Sequence, residues 1–476
     1  MTRDTDVPKV SVMKRTKILC TIGPASKSPE ILRRMVESGM NAVRVNTSHG
    51  SFDDYREIIL AVRKLAEMPI VLDTQGPKIR LRMTASLRAA AGNTIRIGFD
   101  PRDEFYLDAD VFEYLQPGDR MLLDDGAFEA VIEEAKDRFI RIRFNNGGHL
   151  ISGRAVNFPK KTLPLAPLTE KDMQSLVFAR EMNVDFIDLS FTRGKDDILA
   201  CRRRLGDDSI KIIAKIENQQ GIDNFEEILE YADGVMIARG DMGVELAPEE
   251  VPIIQKRLIH ECNAHNKLVI TATQMLQSMI FNPSPTRAEI SDVANAILDG
   301  SDMVMLSGET ATGKYPVKTV QMMSRIAQYA EKFIHIHNHA AKAGDMERAI
   351  CDSIKTLCTT ANVTKIVSVT RRGNTAKLIS RLRLQPEILA LTSQEKTFRE
   401  LHMYYGIHPV MYPNLPGSIR TATAGMFLYE KGLLREEDLV LFASGEYNPS
   451  DRATNTIQVL RARDIIEYCR TFGIPQ

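Results

Sequence analysis

Short apolar runs recur along this chain, and amphipathic segments of helical length separate most of them. Residues 29–38 are typical, because their apolar residues share one helical face and Gly39 follows as a stop signal. Eight strand-like runs occupy residues 17–20, 42–45, 70–73, 186–189, 212–215, 235–238, 269–272 and 303–306. This regular alternation predicts an α/β fold built on a (β/α)₈, or TIM, barrel.

The long segment between the third and fourth runs has a different pattern. Residues 81–157 contain short alternating runs, such as 94–97 and 139–143, separated by turn signals at 117–119 and 145–148. We expect a small antiparallel β-barrel domain, inserted where it would cover the mouth of the larger barrel as a lid. The alternative is an insertion with no role at the site.

A separate α/β pattern occupies the C-terminal part of the chain. Its strand-like runs lie at 365–369, 388–391 and 439–442. The sequence therefore predicts three domains. Their bounds are 1–80 with 158–338 for the barrel domain, 81–157 for the lid and 339–476 for the C-terminal α/β domain.

Composition and charge narrow the functional classes. The 476 residues carry 62 Lys and Arg against 62 Asp and Glu, which gives no electrostatic case for nucleic acid or an anionic membrane. No apolar run approaches the roughly 20 residues of a membrane span, and no apolar signal segment opens the chain. Six scattered cysteines without a CxxC pair indicate thiols in a reducing compartment. We expect a cytoplasmic enzyme.

Charged residues directly follow two of the predicted strands. Lys215 and Glu217 end one run, and Asp241 follows the next. The carboxyl ends of parallel strands are where α/β proteins bind ligands. Two carboxylates suit Mg²⁺ or Mn²⁺, and the lysine supplies charge for a phosphate or a developing enolate. A surface ion pair is the commoner fate of a single Lys-x-Glu, but two acidic sites on successive strand ends disfavour it.

A second candidate site follows the first C-terminal strand. There a short segment precedes a predicted helix and contains Thr370, Arg372, Gly373, Asn374 and Thr375. Hydroxyls, arginines and a glycine at a helix N-terminus can hold a phosphate group. A capped helix with exposed arginines would have the same sequence, so both interpretations stay open.

Six blocks in order along the chain resemble the pyruvate kinase family, and together they span nearly its whole length. They are RVNTSHG at 44–50, LDTQGP at 72–77, KIEN at 215–218, ARGDMGVE at 238–245, TATQML at 271–276 and LSGETATGKYP at 306–316. The resemblance implies a catalytic barrel, a lid, a C-terminal effector domain and usually a homotetramer. The implied reaction converts phosphoenolpyruvate and ADP to pyruvate and ATP.

The resemblance also implies roles for residues at the strand ends. Glu217 and Asp241 match the Mg²⁺ ligands, and the backbone of Gly240 would help hold the substrate carboxylate. Arg44 and Lys215 would hold the transferring phosphoryl group, which carries spread negative charge. Lys215 would also stabilise the enolate that remains.

Further matches concern the proton and the nucleotide. Thr273 matches the threonine implicated in protonating the enolate, and a water relay is the better chemistry because a hydroxyl is a poor acid. A second Mg²⁺ would arrive with the nucleotide. The residues that match nucleotide contacts are Asn46, His49, Arg80 and Arg154. Arg154 stands where the family usually has lysine, and the block at 154–159 departs from the family's Gly-Val-Asn-Leu-Pro.

The clearest departure from the family lies in the block after the third strand. Most members hold K⁺ on residues that match Asn46, Ser48, Asp73 and Thr74, with a glutamate nearby. Here that glutamate is replaced by Lys78. A lysine ammonium can take the electrostatic role of K⁺ and would repel an added cation. A solvent-facing lysine beside a working K⁺ site is the alternative, but we expect Mg²⁺-dependent activity that needs no K⁺.

Two rival functions are weaker. A Mg²⁺-dependent lyase of enolate chemistry would share the two carboxylates but would not need the nucleotide-contacting blocks. A catalytically silent metabolite sensor should have lost at least one of Lys215, Glu217, Asp241 and Thr273, yet all four are present.

For the effector site, Glu446 in the loop 444–454 places negative charge opposite 370–375. A monophosphate effector is therefore expected rather than a sugar bisphosphate.

Overall fold

A computed structural model describes residues 14–334, 346–413, 420–445 and 454–472. Across these ranges, the strands of the largest sheet are β1 (Lys17–Thr21), β2 (Ala42–Asn46), β3 (Ile70–Asp73), β13 (Phe186–Leu189), β14 (Lys211–Ile216), β15 (Gly234–Ala238), β16 (Leu268–Ala272) and β17 (Met303–Leu306). They pair in parallel and close into a barrel in the order β1-β17-β16-β15-β14-β13-β3-β2. The predicted TIM barrel and its strands are confirmed.

Helices surround this barrel and bury the outward-facing side chains of its strands. They are α1 (Pro29–Glu37), α2 (Phe52–Leu65), α3 (Glu170–Glu181), α4 (Lys195–Leu205), α5 (Gln219–Asp223), α6 (Phe225–Tyr231), α7 (Arg239–Glu245), α8 (Val251–Ala264), α9 (Arg287–Leu298), α10 (Gly308–Ala311) and α11 (Pro316–Ala330). Helix α1 begins where the Ser28 side chain accepts from the Ile31 N–H, and it packs Leu32 and Met35 into the core. None of the helices in the described ranges combines the length and apolar character that a membrane span needs.

Alternation along the strands decides which residues reach the active face. Ile187 and Leu189 of β13 pack outward against the helices, whereas Phe186 packs inside the barrel. Because side chains alternate along a strand, Asp188 also faces the interior. Asp73 pairs with Asp188 across β3 and β13, so both carboxyls lie at the same level.

The insertion folds as a second, smaller barrel. In the described residues its strands are β4 (Ile79–Met83), β6 (Thr94–Gly98), β7 (Phe105–Leu107), β8 (Arg120–Leu123), β9 (Phe128–Lys136), β10 (Phe139–Phe144) and β12 (Arg154–Asn157). A two-stranded sheet of β5 (Leu87–Ala89) and β11 (Gly148–Leu150) adjoins it. This smaller barrel, called the lid below, has its own buried core, which includes Phe112, Ile142 and Phe144.

The C-terminal part forms an α/β layer. Within the described residues its strands are β18 (Lys365–Val369), β19 (Glu387–Thr392), β20 (Ile407–Met411), β21 (Leu439–Ser444) and β22 (Thr456–Arg461), in the order β20-β19-β18-β21-β22. Its helices are α12 (Met346–Thr360), α13 (Asn374–Ser380), α14 (Glu395–Leu401), α15 (Arg420–Glu430) and α16 (Ala462–Phe472). Strands β20 and β22 were not among the predicted runs, and the predicted boundary at 338/339 lies outside the described residues.

Candidate active site

A cavity of about 430 Å³ lies between the carboxyl ends of the barrel strands and the lid. Twelve of the predicted site residues line it: Arg44, Asn46, Ser48, His49, Asp73, Thr74, Lys78, Arg80, Arg154, Lys215, Glu217 and Asp241. They come from distant parts of the sequence because the ends of β2, β3, β14 and β15 open at one face of the barrel. Gly240 directly precedes Asp241, and Thr273 contacts Gly240.

A buried cluster of two cations and two carboxylates forms the floor of this cavity. Arg44 Nη2 donates to Asp73 Oδ2 at 2.6 Å, and Arg44 Nη1 donates to Thr21 Oγ1 at 2.8 Å. Lys215 Nζ lies 3.0 Å from Asp73 Oδ1 and 3.0 Å from Glu217 Oε1. Each of these four charged side chains is less than one-tenth exposed. The two cations are thus fixed in position before any substrate binds.

Burial and pairing act in opposite directions on the protonation of this cluster. Burial alone would lower the pKa of Lys215, but Asp73 and Glu217 outweigh it and raise that pKa. Burial would raise the pKa of Asp73, but Arg44 and Lys215 lower it. For Glu217 burial dominates, so its pKa is raised although Lys215 opposes the change. Lys215 is therefore a permanent cation here and no candidate for a general base.

Asp188 is a fifth titratable residue beside the cluster, and it has no counterpart among the predicted site residues. It is fully buried, and neither carboxyl oxygen has a hydrogen-bond partner among the described residues. Burial and the nearby Asp73 carboxylate raise its pKa well above the usual range. An unpaired buried carboxylate is costly, so a neutral acid is the favoured form.

The turn after β16 holds Thr273 in a strained conformation. Thr273 has a φ of 67°, which is rare for a β-branched residue. Its Oγ1 accepts from the Gly240 N–H at 2.7 Å and donates to the Ala272 carbonyl at 2.6 Å. A Cβ at Gly240 would lie 3.3 Å from Thr273 Oγ1, so glycine permits this close approach. Strain of this kind is typical of functional sites.

Lys78 lines the cavity and is only partly exposed to solvent. Its Nζ lies 3.1 Å from Asp241 Oδ1 and 5.0 Å from the centre of the Phe191 ring. Its side chain is 28% exposed, and the Asp241 side chain is 31% exposed. The lysine therefore places its charge beside a predicted metal ligand.

The lid contributes arginines that are held more loosely. Arg80 on β4 donates through Nη1 to the Gly153 carbonyl at 2.8 Å. Arg154 on β12 lies 3.2 Å from Asp124 Oδ1, and its side chain is 45% exposed. On the barrel side, Asn46 Oδ1 accepts from the Ser48 N–H at 2.9 Å. These groups line the part of the cavity that faces the lid.

Three further residues at the site were not singled out in the sequence. Ser190 Oγ accepts from Lys215 Nζ at 2.8 Å, Asp188 lies beside Asp73, and Glu245 ends the helix that carries Asp241. A charged residue inside an apolar run was a usable signal for Asp188. Ser190 and Glu245 gave no such signal, because their contacts depend on the tertiary fold.

The predicted C-terminal site lies at the turn between β18 and α13. Gly373 has a φ of 81°, and its N–H donates to Thr370 Oγ1 at 3.0 Å. Thr454 Oγ1 donates to Thr375 Oγ1 at 2.8 Å. Arg372 and Asn374 are exposed. Glu446 and most of its loop lie outside the described residues, so the monophosphate expectation stays a prediction.

The donor set at the barrel mouth fits a hard divalent cation. No group of three or more His, Cys, Asp and Glu side chains suited to a metal occurs in the described part of the chain. Glu217 and Asp241 supply two carboxylates on successive strand ends, and both now contact cationic lysines. Mg²⁺ commonly binds through one or two carboxylates, leaving other positions to substrate oxygens and water.

An eight-stranded barrel with buried cations and carboxylates at its mouth is the arrangement of a barrel enzyme that acts on small anions. Family models described as "Pyruvate kinase, barrel domain" and "Pyruvate kinase, alpha/beta domain" match residues 13–320 and 348–460. The chain belongs to the pyruvate kinase family. The resemblance inferred from the six sequence blocks is confirmed.

Individual relatives agree along most of the chain. Pyruvate kinase of Bacillus licheniformis is 40% identical over 97% of this chain and 83% of its own length. Pyruvate kinase of Clostridium acetobutylicum is 37% identical over 94% of this chain and 99% of its own length. Pyruvate kinase of Staphylococcus aureus (strain MRSA252) is 38% identical over 97% of this chain and 83% of its own length.

Proposed function

We propose that this enzyme transfers the phosphoryl group of phosphoenolpyruvate to ADP at the mouth of the barrel, with Mg²⁺ and without a need for K⁺. The observation that carries the proposal is the buried cluster in which Asp73 and Glu217 hold Arg44 and Lys215 at fixed positions. Catalysis of phosphoryl transfer consists mainly of positioning and charge stabilisation. A cluster that is charged and fixed in advance supplies both.

Arg44 and Lys215 bind the transferring phosphoryl group. Their charges are held within a buried site, where electrostatic interactions are stronger than in water. When the phosphoryl group leaves for ADP, negative charge develops on the enolate oxygen. The Lys215 ammonium, whose pKa is raised by Asp73 and Glu217, stays protonated and stabilises that charge. Lys215 therefore acts by charge and does not transfer a proton.

Thr273 positions the proton that converts enolate to pyruvate. Its hydroxyl proton points to the Ala272 carbonyl, and its oxygen accepts from the Gly240 N–H. A hydroxyl engaged in this way is poorly placed to donate directly to substrate. This supports a relay in which Thr273 orients a water molecule that gives the proton.

Glu217 and Asp241 would hold the divalent cation, and their hard oxygen donors fit Mg²⁺. When bound, that ion would supply positive charge that stabilises the developing enolate. The carboxylates lie at successive strand ends, Glu217 beside the Lys215 ammonium and Asp241 beside the Lys78 ammonium. Mn²⁺ fits the same donors.

The nucleotide lies between the barrel and the lid in this proposal. Asn46 and His49 approach from the end of β2, and Arg80 and Arg154 approach from the lid. In this proposal the four groups, two from the barrel and two from the lid, contact the phosphates of ADP.

Lys78 takes the electrostatic role of the monovalent cation. It lines the same cavity as Asn46, Ser48, Asp73 and Thr74, the residues that match the K⁺ ligands of other family members. Two observations support this role: the Lys78 side chain is largely shielded from water, and its ammonium contacts Asp241. A fixed positive charge in the cavity reduces the gain from adding K⁺.

Pyruvate formation from phosphoenolpyruvate and ADP tests the proposal. The rate is followed in tetramethylammonium buffer at constant ionic strength, with and without Mg²⁺ and with and without KCl. We expect activity only with Mg²⁺ or Mn²⁺ and little response to KCl. A large rise on adding KCl would refute the role of Lys78, and no pyruvate with any metal would refute the reaction.

We also propose a homotetramer whose C-terminal turn binds a phosphorylated effector. Thr370, Gly373 and Thr375 form a compact turn with exposed Arg372 beside it, which suits a single phosphate group. Light scattering tests the tetramer. Strong activation by fructose 1,6-bisphosphate that disappears in Arg372→Ala would contradict the expected monophosphate.

A further inference from the structure

The chain passes between the barrel and the lid twice, and each passage places one side chain on helix α7. The first passage joins β3 to β4 and carries Lys78, whose Nζ lies 3.1 Å from Asp241 Oδ1. The second passage begins at Asn157, the last residue of β12, whose Nδ2 donates to Glu245 Oε1 at 2.8 Å. Because Asp241 and Glu245 are four residues apart, both contacts lie on one face of α7.

The other end of α7 is fixed to the barrel. Arg239 Nη1 lies 2.7 Å from the Asp292 carboxylate, and Arg239 Nη2 donates to the Thr273 carbonyl at 2.8 Å. The Arg239 side chain is only 9% exposed. The helix therefore begins at a fixed point on the barrel and ends at a bond to the lid, with Asp241 between the two.

The two passages leave the lid side by side, because Val156 of β12 pairs with Ile79 of β4. A cavity of about 410 Å³, called the hinge cavity, is lined by Pro77 and Lys78 of the first passage and by Asn157 and Phe158 of the second. Glu245 also lines it. Because both passages continue from paired strands of the lid, a change in lid orientation can be transmitted to α7 through the Asn157–Glu245 bond.

This bond is costly to break. Burial raises the pKa of Glu245, and the hydrogen bond from Asn157 opposes that rise. Hydrogen bonds to charged groups are worth more than those between neutral groups, and losing the donor leaves a poorly solvated carboxylate. Asn157 and Glu245 should therefore stay together as the lid moves.

We propose that Asn157 and Glu245 are positioning residues that couple the lid to Asp241, so that lid orientation controls how well Asp241 binds the divalent cation. The inference rests on the proposed function, which makes Asp241 a ligand of that cation. Neither residue touches the reacting atoms. They act through the orientation of α7.

Two substitutions distinguish the effect of the Asn157–Glu245 hydrogen bond from the effect of the Glu245 charge. Asn157→Ala removes the hydrogen bond and keeps the Glu245 charge. Glu245→Gln removes the charge and keeps an oxygen that accepts from Asn157. Asn146→Ala is the matched control, because Asn146 Nδ2 donates to the Ala127 carbonyl within the lid and away from α7.

Two measurements on the purified full-length enzyme test the inference. Titration with Mn²⁺, followed by electron paramagnetic resonance without substrate or nucleotide, gives the cation affinity. Amide hydrogen exchange of peptides covering 239–245 reports on α7 without any metal. We expect Asn157→Ala to weaken Mn²⁺ binding roughly tenfold and to speed exchange in α7. Glu245→Gln and Asn146→Ala should leave both nearly unchanged.

The opposite pattern would overturn the inference. Weaker Mn²⁺ binding in Glu245→Gln but not in Asn157→Ala would mean that charge alone matters. Faster exchange in α7 of Asn157→Ala with unchanged Mn²⁺ affinity would show that this bond does not position Asp241. Unchanged exchange would show that the bond does not hold α7 in place. The unmutated enzyme could also bind no Mn²⁺ while Asn157→Ala still speeds exchange in α7. That result would refute the metal site of the proposed function but would leave the role of the Asn157–Glu245 bond in positioning α7 supported.

Discussion

The mouth of the barrel and the facing surface of the lid hold their charged residues in opposite ways. In the barrel, the side chains of Arg44 and Lys215 are each 9% exposed, and buried carboxylates fix both. On the lid, the Arg154 side chain is 45% exposed and has a 3.2 Å ion pair with Asp124, itself 28% exposed. Arg80 is held by the Gly153 carbonyl of a neighbouring lid turn.

This difference matches two different tasks. A charge that stabilises a transition state works best when it is already in place, because no reorganisation is then needed during the reaction. A charge that captures a nucleotide must let it enter and leave, so a solvated and movable arginine serves better. Substitutions in the barrel should therefore reduce kcat strongly, whereas those on the lid should raise KM for ADP and change kcat less.

The largest effect is expected for Lys215→Met. Loss of a fixed charge beside the proposed position of the transferring phosphoryl group should lower kcat by roughly a thousandfold or more. The matched control is Lys211→Met on the same strand, where the lysine lies 3.9 Å from Asp233 at the opposite end. Circular dichroism must show the folded state in both variants. A folded Lys215→Met enzyme with near-normal turnover would contradict the central role of this lysine.

The next effect concerns the charge at residue 78. Lys78→Glu places a carboxylate beside Asp241, where the lysine now lies at 3.1 Å. Repulsion between like charges should lower activity about 10–100-fold in tetramethylammonium buffer, and added KCl should restore part of it. Lys64→Glu makes the same charge change at an exposed lysine of α2 and should have little effect. Equal loss in both variants, or no response of Lys78→Glu to KCl, would count against the cation role.

The sequence predicted the barrel well because buried parallel strands have continuous apolar runs with charged residues at their ends. Glu217 and Asp241 could be assigned to one edge for that reason. Strand β22 was missed because it is an antiparallel edge strand in which no residue is buried, and β20 because Pro409 interrupts its apolar pattern. The Asn157–Glu245 bond joins residues 88 positions apart, and no local pattern contains it.

A smaller effect is expected on the lid. Arg154→Ala should raise KM for ADP roughly tenfold while kcat changes little, because the proposed role of this arginine is to bind the nucleotide and it lies apart from the buried cluster of Arg44 and Lys215. Arg141→Ala is the matched control: its side chain is 52% exposed, and it has a comparable 3.1 Å ion pair with Glu134 on the lid. Equal changes in both variants would indicate a general electrostatic effect of the lid and no specific contact.

The smallest expected effect concerns two buried aspartates, Asp185 directly before β13 and Asp188 within it. Asp185 is paired with Arg63 and Arg399, whereas Asp188 has no hydrogen-bond partner among the described residues. Replacing Asp185 by Asn should destabilise the fold because it leaves two arginines without their carboxylate. Replacing Asp188 by Asn should stabilise it by about 1–2 kcal/mol at neutral pH, because it removes an unpaired carboxyl that is costly to ionise.

The effect of Asp188→Asn on stability should depend on pH, and the raised pKa of Asp188 decides the direction of that dependence. Burial raises the pKa of Asp188 in the folded state, so the folded protein binds more protons than the unfolded chain over the range between the two pKa values. Stability contributed by this residue is therefore greatest below the unfolded pKa, near 4, and is lost progressively as pH rises toward the folded pKa. The advantage of Asp188→Asn should grow from pH 4 to pH 8 in thermal unfolding. An advantage that shrinks over that range would mean that Asp188 is ionised and paired in solution.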